Sequence, residues 1–244
     1  MRVLVTRPDP GAERTVSRLA ALGHRALALP LFVVAHRLHN ANSLTRYPAT
    51  ALIVTSAEAF RAITPFRADI APLLRLPLFA VGPATAKAAL DFGFLNIIAG
   101  SSGGAALAEK IIQESAVRPE TTRLLLYLAG DPRTPDLERR LTDASLTLVT
   151  EIVYEMQPVA ISETEMHRIL ADFMPEAVLF YSAQAARQFF RLASDHRTLI
   201  MLKNMTFLCL SHTIAAVVPQ SFQAQVEIAL HSDEDSMINL LSHE

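Results

Sequence analysis

The chain contains one sequence pattern twice, and the two copies lie about half a chain apart. Residues 51–63, ALIVTSAEAFRAI, recur as residues 177–189, AVLFYSAQAARQF, and this alignment matches Ser56 to Ser182 without a gap. The offset is 126 residues here, and it is 129 and 130 residues for two further blocks that recur in the same order. These blocks are 78–86 with 207–215, and 96–107 with 226–237. The pattern predicts two halves of similar fold, which would enclose a cleft and hold one ligand from two sides.

Bulk properties exclude several classes of protein. The chain has 244 residues, 51% of them apolar, and a net charge of −2 without a concentrated basic run, so we expect no nucleic-acid partner. No apolar stretch reaches the ~20 residues of a membrane span, and the N-terminus begins with a strand pattern instead of a signal peptide. We therefore expect a cytoplasmic protein without a membrane partner. The single cysteine, Cys209, lies in an apolar strand pattern and is interpreted as a buried, unreactive thiol.

Short apolar runs alternate with helical patterns, which is typical of parallel strands that are covered on both faces. Two helices have candidate N-caps, namely Ser56 before AEAFRAI and Ser101–Ser102 before GGAALAEKII. Ten strands are predicted, at residues 2–6, 26–31, 51–55, 78–81, 95–99, 123–127, 146–152, 177–180, 206–210 and 226–230.

The repeat also predicts how the strands divide between domains. The block that starts at residue 51 carries five strands, whereas the block that starts at residue 177 carries three and needs the first two strands of the chain to complete it. The predicted domains are therefore 1–34 plus 160–244, which is discontinuous, and 35–159. Two β-prone segments, 31–38 and 149–159, would cross between them as a two-stranded hinge. The expected fold class is α/β, with two doubly wound parallel sheets of five strands each.

Small polar residues follow several predicted strands, at the edge where parallel sheets usually bind ligands. Thr55 and Ser56 follow one strand, and Ser182 follows its counterpart in the repeat. Gly82 and Thr85 open a helix after another strand, where backbone N–H groups and the threonine hydroxyl could bind an anion. An ordinary helix N-cap explains Gly82 and Thr85 equally well. The agreement among strand ends predicts a binding edge.

Three larger side chains complete the candidate site. Arg7 and Arg133 each follow a strand and could pair with ligand carboxylates in a forked geometry, although solvated surface arginines are common. Tyr154 ends an apolar strand at the proposed crossing, where its phenol could act as a hydrogen-bond donor or weak general acid. From spacing alone, an edge-strand aromatic that packs on its neighbour is the more ordinary interpretation of Tyr154.

Other kinds of site lack the necessary residues. The histidines are scattered, and the one close pair, His36 and His39, has no cysteine or acidic cluster near it, so no metal site is expected. The glycine-rich segment 100–104 lacks the lysine of a P-loop and the third glycine of a dinucleotide-binding motif. All eight glycines lie between Gly11 and Gly130. Turns beyond Gly130 that need a positive φ must therefore use Asn, Asp or Ser.

Six short motifs give the chain a resemblance to the uroporphyrinogen-III synthase family over nearly its whole length. Each motif is weak alone, but their number, order and spacing are specific. They are VLVTRP at 3–8, IVTSAEA at 53–59, AVGPATA at 80–86, GDPR at 130–133, IVYEMQP at 152–158 and FYSAQA at 180–185. The resemblance implies two flavodoxin-like domains joined by a two-stranded ladder.

The resemblance also implies a reaction that uses no cofactor. Linear hydroxymethylbilane, a small molecule with eight carboxylates, would lose water and close to uroporphyrinogen III with its terminal ring inverted through a spiro intermediate. Tyr154 matches the family tyrosine that is proposed to help the hydroxyl leave, and Thr85 matches a cleft threonine. Ser56 and Ser182 match hydroxyl positions that hold substrate carboxylates. A monomer is expected, because nothing in the sequence indicates an oligomer interface.

The chain departs from the family pattern at two places. The ungapped register puts Ile214 opposite Thr85, so one expected hydroxyl is missing and Thr213 is the candidate to replace it in part. A glycine usually found before the strand of Tyr154 is also absent, with Ala144 and Ser145 there. Two other functions therefore stay open: a two-domain protein that binds a small ligand without chemistry, and a synthase homologue that has lost activity.

Overall fold

Two sheets of mainly parallel strands form the framework of the computed structural model, which describes residues 1–100 and 103–242. The first sheet has the strand order β11-β10-β9-β1-β2, and the second has the order β3-β8-β7-β4-β5-β6. The strands are β1 (Arg2–Val5), β2 (Arg25–Ala28), β3 (Phe32–His36), β4 (Ala51–Val54), β5 (Pro77–Val81), β6 (Asn96–Gly100), β7 (Leu125–Asp131), β8 (Leu148–Pro158), β9 (Ala177–Phe180), β10 (Thr206–Cys209) and β11 (Val226–Ile228). All neighbours in the first sheet run parallel, as do β4 to β8 in the second.

Helices lie between most consecutive strands, as parallel connections require. The α-helices are α1 (Gly11–Ala21), α2 (Asn42–Thr45), α3 (Glu58–Ile63), α4 (Gly82–Phe92), α5 (Gly104–Val117), α6 (Asp136–Asp143), α7 (Glu163–Phe173), α8 (Ala183–Leu192), α9 (His196–Leu202), α10 (His212–Ala215) and α11 (Glu234–Asn239). In the part of the chain that the structure describes, no helix is both long enough and apolar enough to cross a membrane.

Each of the ten predicted strands overlaps a strand of the structure. The prediction of five strands per sheet is correct for the first sheet and wrong for the second, which has six. The sixth strand is β3, from the segment that we predicted to be a crossing strand, and it is the edge neighbour of β8. β8 itself is one strand of 11 residues that joins the predicted strand 146–152 to the second predicted crossing segment.

Two compact units divide the chain. One unit consists of Met1–Val33 and Gln157–Glu244, and the other consists of Val34–Met156. We refer to them as the split unit and the continuous unit. Each boundary falls inside a strand, the first in β3 and the second in β8.

Apolar side chains cover both faces of the sheet in the split unit. Along β1, Leu4 belongs to one buried cluster, while its neighbours Val3 and Val5 belong to a second cluster on the opposite face. The first cluster contains tilted and edge-on phenylalanines, such as Phe180 and Phe189 with ring centroids 5.4 Å apart. Because successive residues point to opposite faces, the buried part of this strand has to be apolar on both sides, which explains the hydrophobic run of residues 3–5.

The continuous unit is built on the same principle. Along β4, Leu52 and Val54 belong to one buried cluster, and Ala51 and Ile53 belong to the cluster on the other face. All four residues are at most 1% exposed. Helices cover both faces of the sheet. Polar side chains that a ligand could reach are therefore expected at the ends of the strands.

The sequence repeat corresponds to a structural repeat, and it extends further than the sequence alignment indicated. The three aligned strand pairs are β4 with β9, β5 with β10, and β6 with β11, which are neighbours in the same order in their sheets. A fourth pair is β7 with β1: Ala51 is opposite Leu125 and its counterpart Ala177 is opposite Val3. That register aligns LLYLAGDP at 125–132 with VLVTRPDP at 3–10.

Caps and turns differ in part from the sequence prediction. Ser182 is the N-cap of α8, and its hydroxyl accepts from the Ala185 N–H at 3.1 Å. The helix after Ser56 starts at Glu58, one residue later than predicted, and the Ser56 hydroxyl accepts from the Glu58 N–H at 3.2 Å. The predicted caps Ser101 and Ser102 lie outside the described residues.

Among the described residues beyond Gly130, two that are not glycine have a positive φ, Ser145 at 60° and Met174 at 46°. Ser145 agrees with the prediction that serine replaces glycine in such turns. Met174 does not, because the prediction considered only Asn, Asp and Ser. It follows the last residue of α7, a position at which left-handed backbone commonly ends a helix.

Candidate active site

A cavity of about 280 Å³ lies in the continuous unit, at the carboxyl ends of β4, β5 and β7. This is the sheet edge at which the sequence predicted binding. Its lining includes four predicted site residues, together with one tyrosine and one glycine that the sequence did not indicate as site residues. These six are Thr55, Ser56, Arg133, Tyr154, Tyr127 and Gly130. Segments far apart in the sequence are therefore brought to one cavity by the parallel sheet.

Tyr154 reaches the cavity because of an irregularity between β7 and β8. The register shifts between Ala129 and Gly130, so Ala129 is opposite Ile152 and Gly130 is opposite Tyr154. Val153, the extra residue, is fully buried in the core. Such a bulge bends a strand and redirects its side chains. A Cβ on Gly130 would overlap the phenol ring of Tyr154, so the missing side chain of Gly130 provides the space for that ring.

The phenol of Tyr154 is held in its protonated form at neutral pH. Burial raises the pKa of Tyr154, the neighbouring Ser56 hydroxyl lowers it in part, and the nearby Glu58 carboxylate raises it further. A protonated phenol can donate a hydrogen bond to a departing hydroxyl group. The site therefore contains a neutral donor that is largely screened from water.

A second phenol belongs to the same cavity. Tyr127, on β7, is 3% exposed, and its hydroxyl lies 2.9 Å from the Thr55 hydroxyl. Burial is the main cause that raises the pKa of Tyr127, and the Thr55 hydrogen bond opposes it. The sequence pattern placed Tyr127 only at the end of a strand. The one sequence signal was its hydroxyl, which stands among the apolar side chains of residues 124–129.

Arg133 lines the cavity, but its guanidinium group already pairs with carboxylates of the protein. Its Nε and Nη2 atoms each donate to Glu138 at 3.0 Å, and Nη1 lies 3.6 Å from Asp131. Glu138 also accepts from the Thr150 hydroxyl at 2.7 Å. Although desolvation opposes it, these hydrogen bonds lower the pKa of Glu138. Glu138 therefore fixes the direction of Arg133 beside the cavity.

The α5 helix begins at the same cavity. Gly103, its N-cap, and Gly104 both belong to the lining, and Gly103 has a φ of 102°, a conformation that favours glycine. The first N–H groups of a helix carry partial positive charge and attract anions. This helix end favours negatively charged groups in the cavity, whereas the charge of Arg133 is offset by Glu138 and Asp131.

The predicted residues Gly82 and Thr85 occupy the first turns of α4, directly after Val81 of the cavity lining. Gly82 has a φ of 69°, and both residues are buried. Neither belongs to the lining. In the repeat, Ile214 replaces Thr85 and is buried to the same degree, 6% against 7% exposed.

The remaining predicted residues lie in the split unit, at the carboxyl ends of β1, β9 and β10. Ser182 caps α8, as described above, and Thr213 is exposed in the short helix α10. Arg7 lies 4.3 Å from the ring centroid of Tyr181 and 3.5 Å from the Glu234 carboxylate. Polar residues thus lie at the carboxyl ends of the strands in both units. In the split unit, Arg7 is already paired with the Glu234 carboxylate.

A larger cavity, of about 430 Å³, also lies in the split unit, beside α7 and α9. His167 at this cavity is hydrogen-bonded to Thr198 at 2.8 Å, and Asp195 caps α9. None of the predicted site residues lines it. The smaller cavity is the candidate active site, because it combines a neutral phenol, several hydroxyls and a guanidinium group. Within residues 1–100 and 103–242, no group of three or more His, Cys, Asp and Glu side chains is placed to hold a metal ion.

Comparison with known proteins identifies the family. The fold and cavity define an α/β protein with parallel sheets and a polar cavity for a small molecule. The family model described as Uroporphyrinogen-III synthase HemD matches residues 13–239. The chain therefore belongs to the uroporphyrinogen-III synthase family and is an enzyme of tetrapyrrole biosynthesis. A search of curated protein sequences gave no match.

Solved structures agree with the fold. The uroporphyrinogen-III synthetase of Helicobacter pylori 26695 is 20% identical, with a TM-score of 0.66 and complete coverage of both chains. A mutant uroporphyrinogen III synthase of Thermus thermophilus is 14% identical, with a TM-score of 0.64 and coverage of 99% of this chain and 97% of that one. The wild-type protein in another crystal form is 17% identical, with a TM-score of 0.51 and coverage of 99% and 95%. At these identities, the likeness establishes the α/β fold with parallel sheets.

Proposed function

We propose that this enzyme converts hydroxymethylbilane to uroporphyrinogen III and water, with inversion of the terminal ring through a spiro intermediate. The observation that carries the proposal is the convergence of Tyr154, Ser56 and Arg133 on one cavity. The substrate brings a hydroxyl group that must leave and carboxylates that must be held. The cavity offers a neutral donor for the first and polar or positive groups for the second.

Tyr154 is the proposed catalytic residue. Its phenol, kept protonated by burial, would donate a hydrogen bond to the substrate hydroxyl as the C–O bond breaks. The pyrrole nitrogen of the ring that bears the hydroxymethyl group supplies the electrons, and the hydroxyl takes the phenol proton and leaves as water. The substituted carbon of the terminal ring then bonds to the resulting methylene carbon and forms the spiro intermediate. The bond from the spiro carbon to its original bridge breaks, that bridge bonds to the free α-carbon of the terminal ring, and the proton lost from this carbon returns to the phenolate. Holding the two ends of the linear molecule together accounts for much of the remaining rate enhancement.

The other predicted residues are proposed to bind substrate carboxylates. The hydroxyl of Ser182 accepts from a backbone N–H, so its own hydrogen is left to donate to a carboxylate. The Ser56 hydroxyl accepts from the Glu58 N–H and lies beside the Tyr154 phenol, so its hydrogen would turn from the phenol to a carboxylate when substrate binds. A guanidinium has five N–H groups, so Arg133 retains donors beyond the pair that Glu138 uses. The same role is proposed for the remaining residues of the set, which are Arg7, Thr55, Gly82, Thr85 and Thr213.

We also propose that the two compact units are domains with the predicted limits 1–34 plus 160–244, and 35–159. The split unit has its strands in the order 2-1-3-4-5 when they are numbered along that unit, which is the flavodoxin-like order and supports a flavodoxin-like domain. The proposed hinge is a ladder of β3 and β8. Two hydrogen bonds support antiparallel pairing there: Arg37 N to Val153 O at 2.9 Å, and Val159 N to Leu31 O at 3.0 Å.

The test of the function is the isomer ratio of the product. Freshly generated hydroxymethylbilane is supplied to the purified protein, and the products are oxidised and separated as uroporphyrin I and uroporphyrin III. Spontaneous closure gives isomer I, so a predominance of isomer III is expected if the enzyme directs ring inversion. Isomer I alone, formed at the uncatalysed rate, would leave a ligand-binding protein or an inactive homologue as the function.

The protein is further proposed to act as a monomer in the cytoplasm. Size-exclusion chromatography with light scattering at micromolar concentration measures the oligomeric state, for which we expect a mass of 26.7 kDa.

A further inference from the structure

The hydroxyls of Tyr127 and Thr55 form a pair at the cavity. The two oxygen atoms are 2.9 Å apart, and either can be the donor. Tyr127 is nearly fully buried, whereas Thr55 is half-buried, and both residues line the cavity. The pair is built from neighbouring strands, because Tyr127 belongs to β7 and Thr55 follows the last residue of β4.

Hydrogen counting shows what this pair can do. Two hydroxyl groups carry two hydrogens, and their mutual hydrogen bond uses one of them. When Tyr127 donates to Thr55, the hydrogen of Thr55 is left to point into the cavity. Burial raises the pKa of Tyr127, so the phenol keeps its hydrogen at neutral pH. The donor role of Tyr127 would make Thr55 a donor toward the cavity.

We infer that Tyr127 is a positioning residue that orients the Thr55 hydroxyl as a hydrogen-bond donor to one carboxylate of the substrate. The inference rests on the proposed function, since it identifies what one part of that site binds. The nearby α5 N-terminus supplies positive potential that a carboxylate needs, and Arg133 supplies N–H groups beyond the two that Glu138 uses. Tyr127 does not reach the reacting atoms in this assignment and acts only through Thr55.

The test compares four variants with the unmodified chain: Tyr127→Phe, Thr55→Val, the combination of the two, and Tyr47→Phe. Tyr47 is the matched control, because its phenol donates to Glu151 at 2.8 Å in the same unit and it does not line the cavity. KM and kcat for hydroxymethylbilane are measured together with the isomer ratio. A second measurement is the Kd for uroporphyrin I, an octacarboxylate whose binding requires no turnover. Thermal unfolding reports whether each variant remains folded.

Tyr127→Phe should raise KM and the Kd for uroporphyrin I by about 3- to 10-fold, because a hydroxyl that is no longer oriented loses part of the binding free energy of a hydrogen bond to a charged group. The value of kcat should change by less than about twofold. Thr55→Val should do at least as much. The double variant should have the same KM and Kd as Thr55→Val alone. Tyr127 acts only through Thr55 in this inference, so the effects of the two substitutions should not add. Tyr47→Phe should leave all three constants unchanged.

Unchanged KM and Kd in Tyr127→Phe would overturn the inference, and so would losses that multiply in the double variant. A fall in kcat with KM unchanged would also overturn it. The isomer ratio of the unmodified chain separates this failure from failure of the proposed function. If the unmodified chain gave only isomer I, the Kd for uroporphyrin I would still test the inference. Weaker binding by Tyr127→Phe would support the carboxylate contact without turnover. Unchanged or absent binding would contradict it.

Discussion

Gly130 and Tyr154 face each other across the bulge between β7 and β8, and the ring of Tyr154 fills the space where a side chain of Gly130 would be. The position of the proposed catalytic phenol therefore depends on the absence of a single carbon atom on the neighbouring strand. Any other residue at position 130 has to displace either the ring or the strand.

Gly130→Ala should displace the phenol and lower the rate of isomer III formation by about tenfold or more, because catalysis is sensitive to misplacement of about 1 Å. Overpacking should also lower the free energy of unfolding by ~1–3 kcal/mol. The isomer assay and urea denaturation measure the two effects. A fully active Gly130→Ala protein would show that the ring has room to move.

Tyr154→Phe should slow isomer III formation several-fold and leave the fold intact. It removes only the hydroxyl, so the donor is lost while the ring keeps its packing in the core cluster to which it belongs. Single-turnover kinetics and thermal unfolding are the measurements, with Tyr47→Phe as control. Unchanged turnover would remove Tyr154 from the mechanism.

Glu138→Gln should change how stability depends on acid. Hydrogen bonds from Arg133 and Thr150 lower the pKa of Glu138 below its ordinary value of 4.5. A carboxylate with a lowered pKa stabilises the fold above its ordinary pKa and loses that contribution as the pH falls through the folded value. The variant should thus be less stable at pH 7, and the difference should shrink below pH ~4.5. Urea denaturation at pH 7 and below pH ~4.5 measures the free energy of unfolding of the variant and the unmodified chain. An equal difference between the two proteins at both values would contradict the lowered pKa of Glu138.

Ser145→Gly should stabilise the continuous unit by about 1 kcal/mol, since Ser145 has a φ of 60° and left-handed backbone costs residues with a Cβ that order of free energy. Ser115→Gly is the control. It lies within α5, where glycine should destabilise by ~0.5–1 kcal/mol. Chemical denaturation of both variants gives the comparison. Destabilisation by Ser145→Gly would show that the serine side chain stabilises this turn.

Cys209 should not react with thiol reagents in the native protein. Its side chain is fully buried in β10, and burial raises its pKa to about 12. Alkylation should therefore occur at the rate at which the split unit opens, and should become fast in urea. Rapid labelling without denaturant would be evidence against this packing.

The strands and the α/β class could be predicted because they depend on local patterns. Buried parallel strands are apolar on both faces, so runs such as residues 51–54 stand out in the sequence. The repeat also placed Thr55 and Ser56 on a binding edge, and Tyr154 was singled out because it ends a strand at the proposed crossing. The structure brings these residues to one cavity. Their roles in binding and catalysis remain predictions.

Features that depend on contacts between distant residues could not be predicted. The alignment of residues 3–10 with 125–132 has few identities and became visible only from strand pairing. Tyr127 looked like a core residue, because its partner Thr55 is 72 positions away. The fork of Arg133 was expected to be available to a ligand, but Glu138, in the first turn of α6, takes two of its donors.

The strand order of the split unit has a consequence for the chain as it is synthesised. β1 lies between β2 and β9 in its sheet, and β9 is synthesised only after the whole continuous unit. The continuous unit can bury its strands as soon as β8 is complete. The first 33 residues must wait with one edge of β1 unpaired, so the N-terminal segment of the nascent chain should become protected from proteases later than the continuous unit, although it is synthesised earlier.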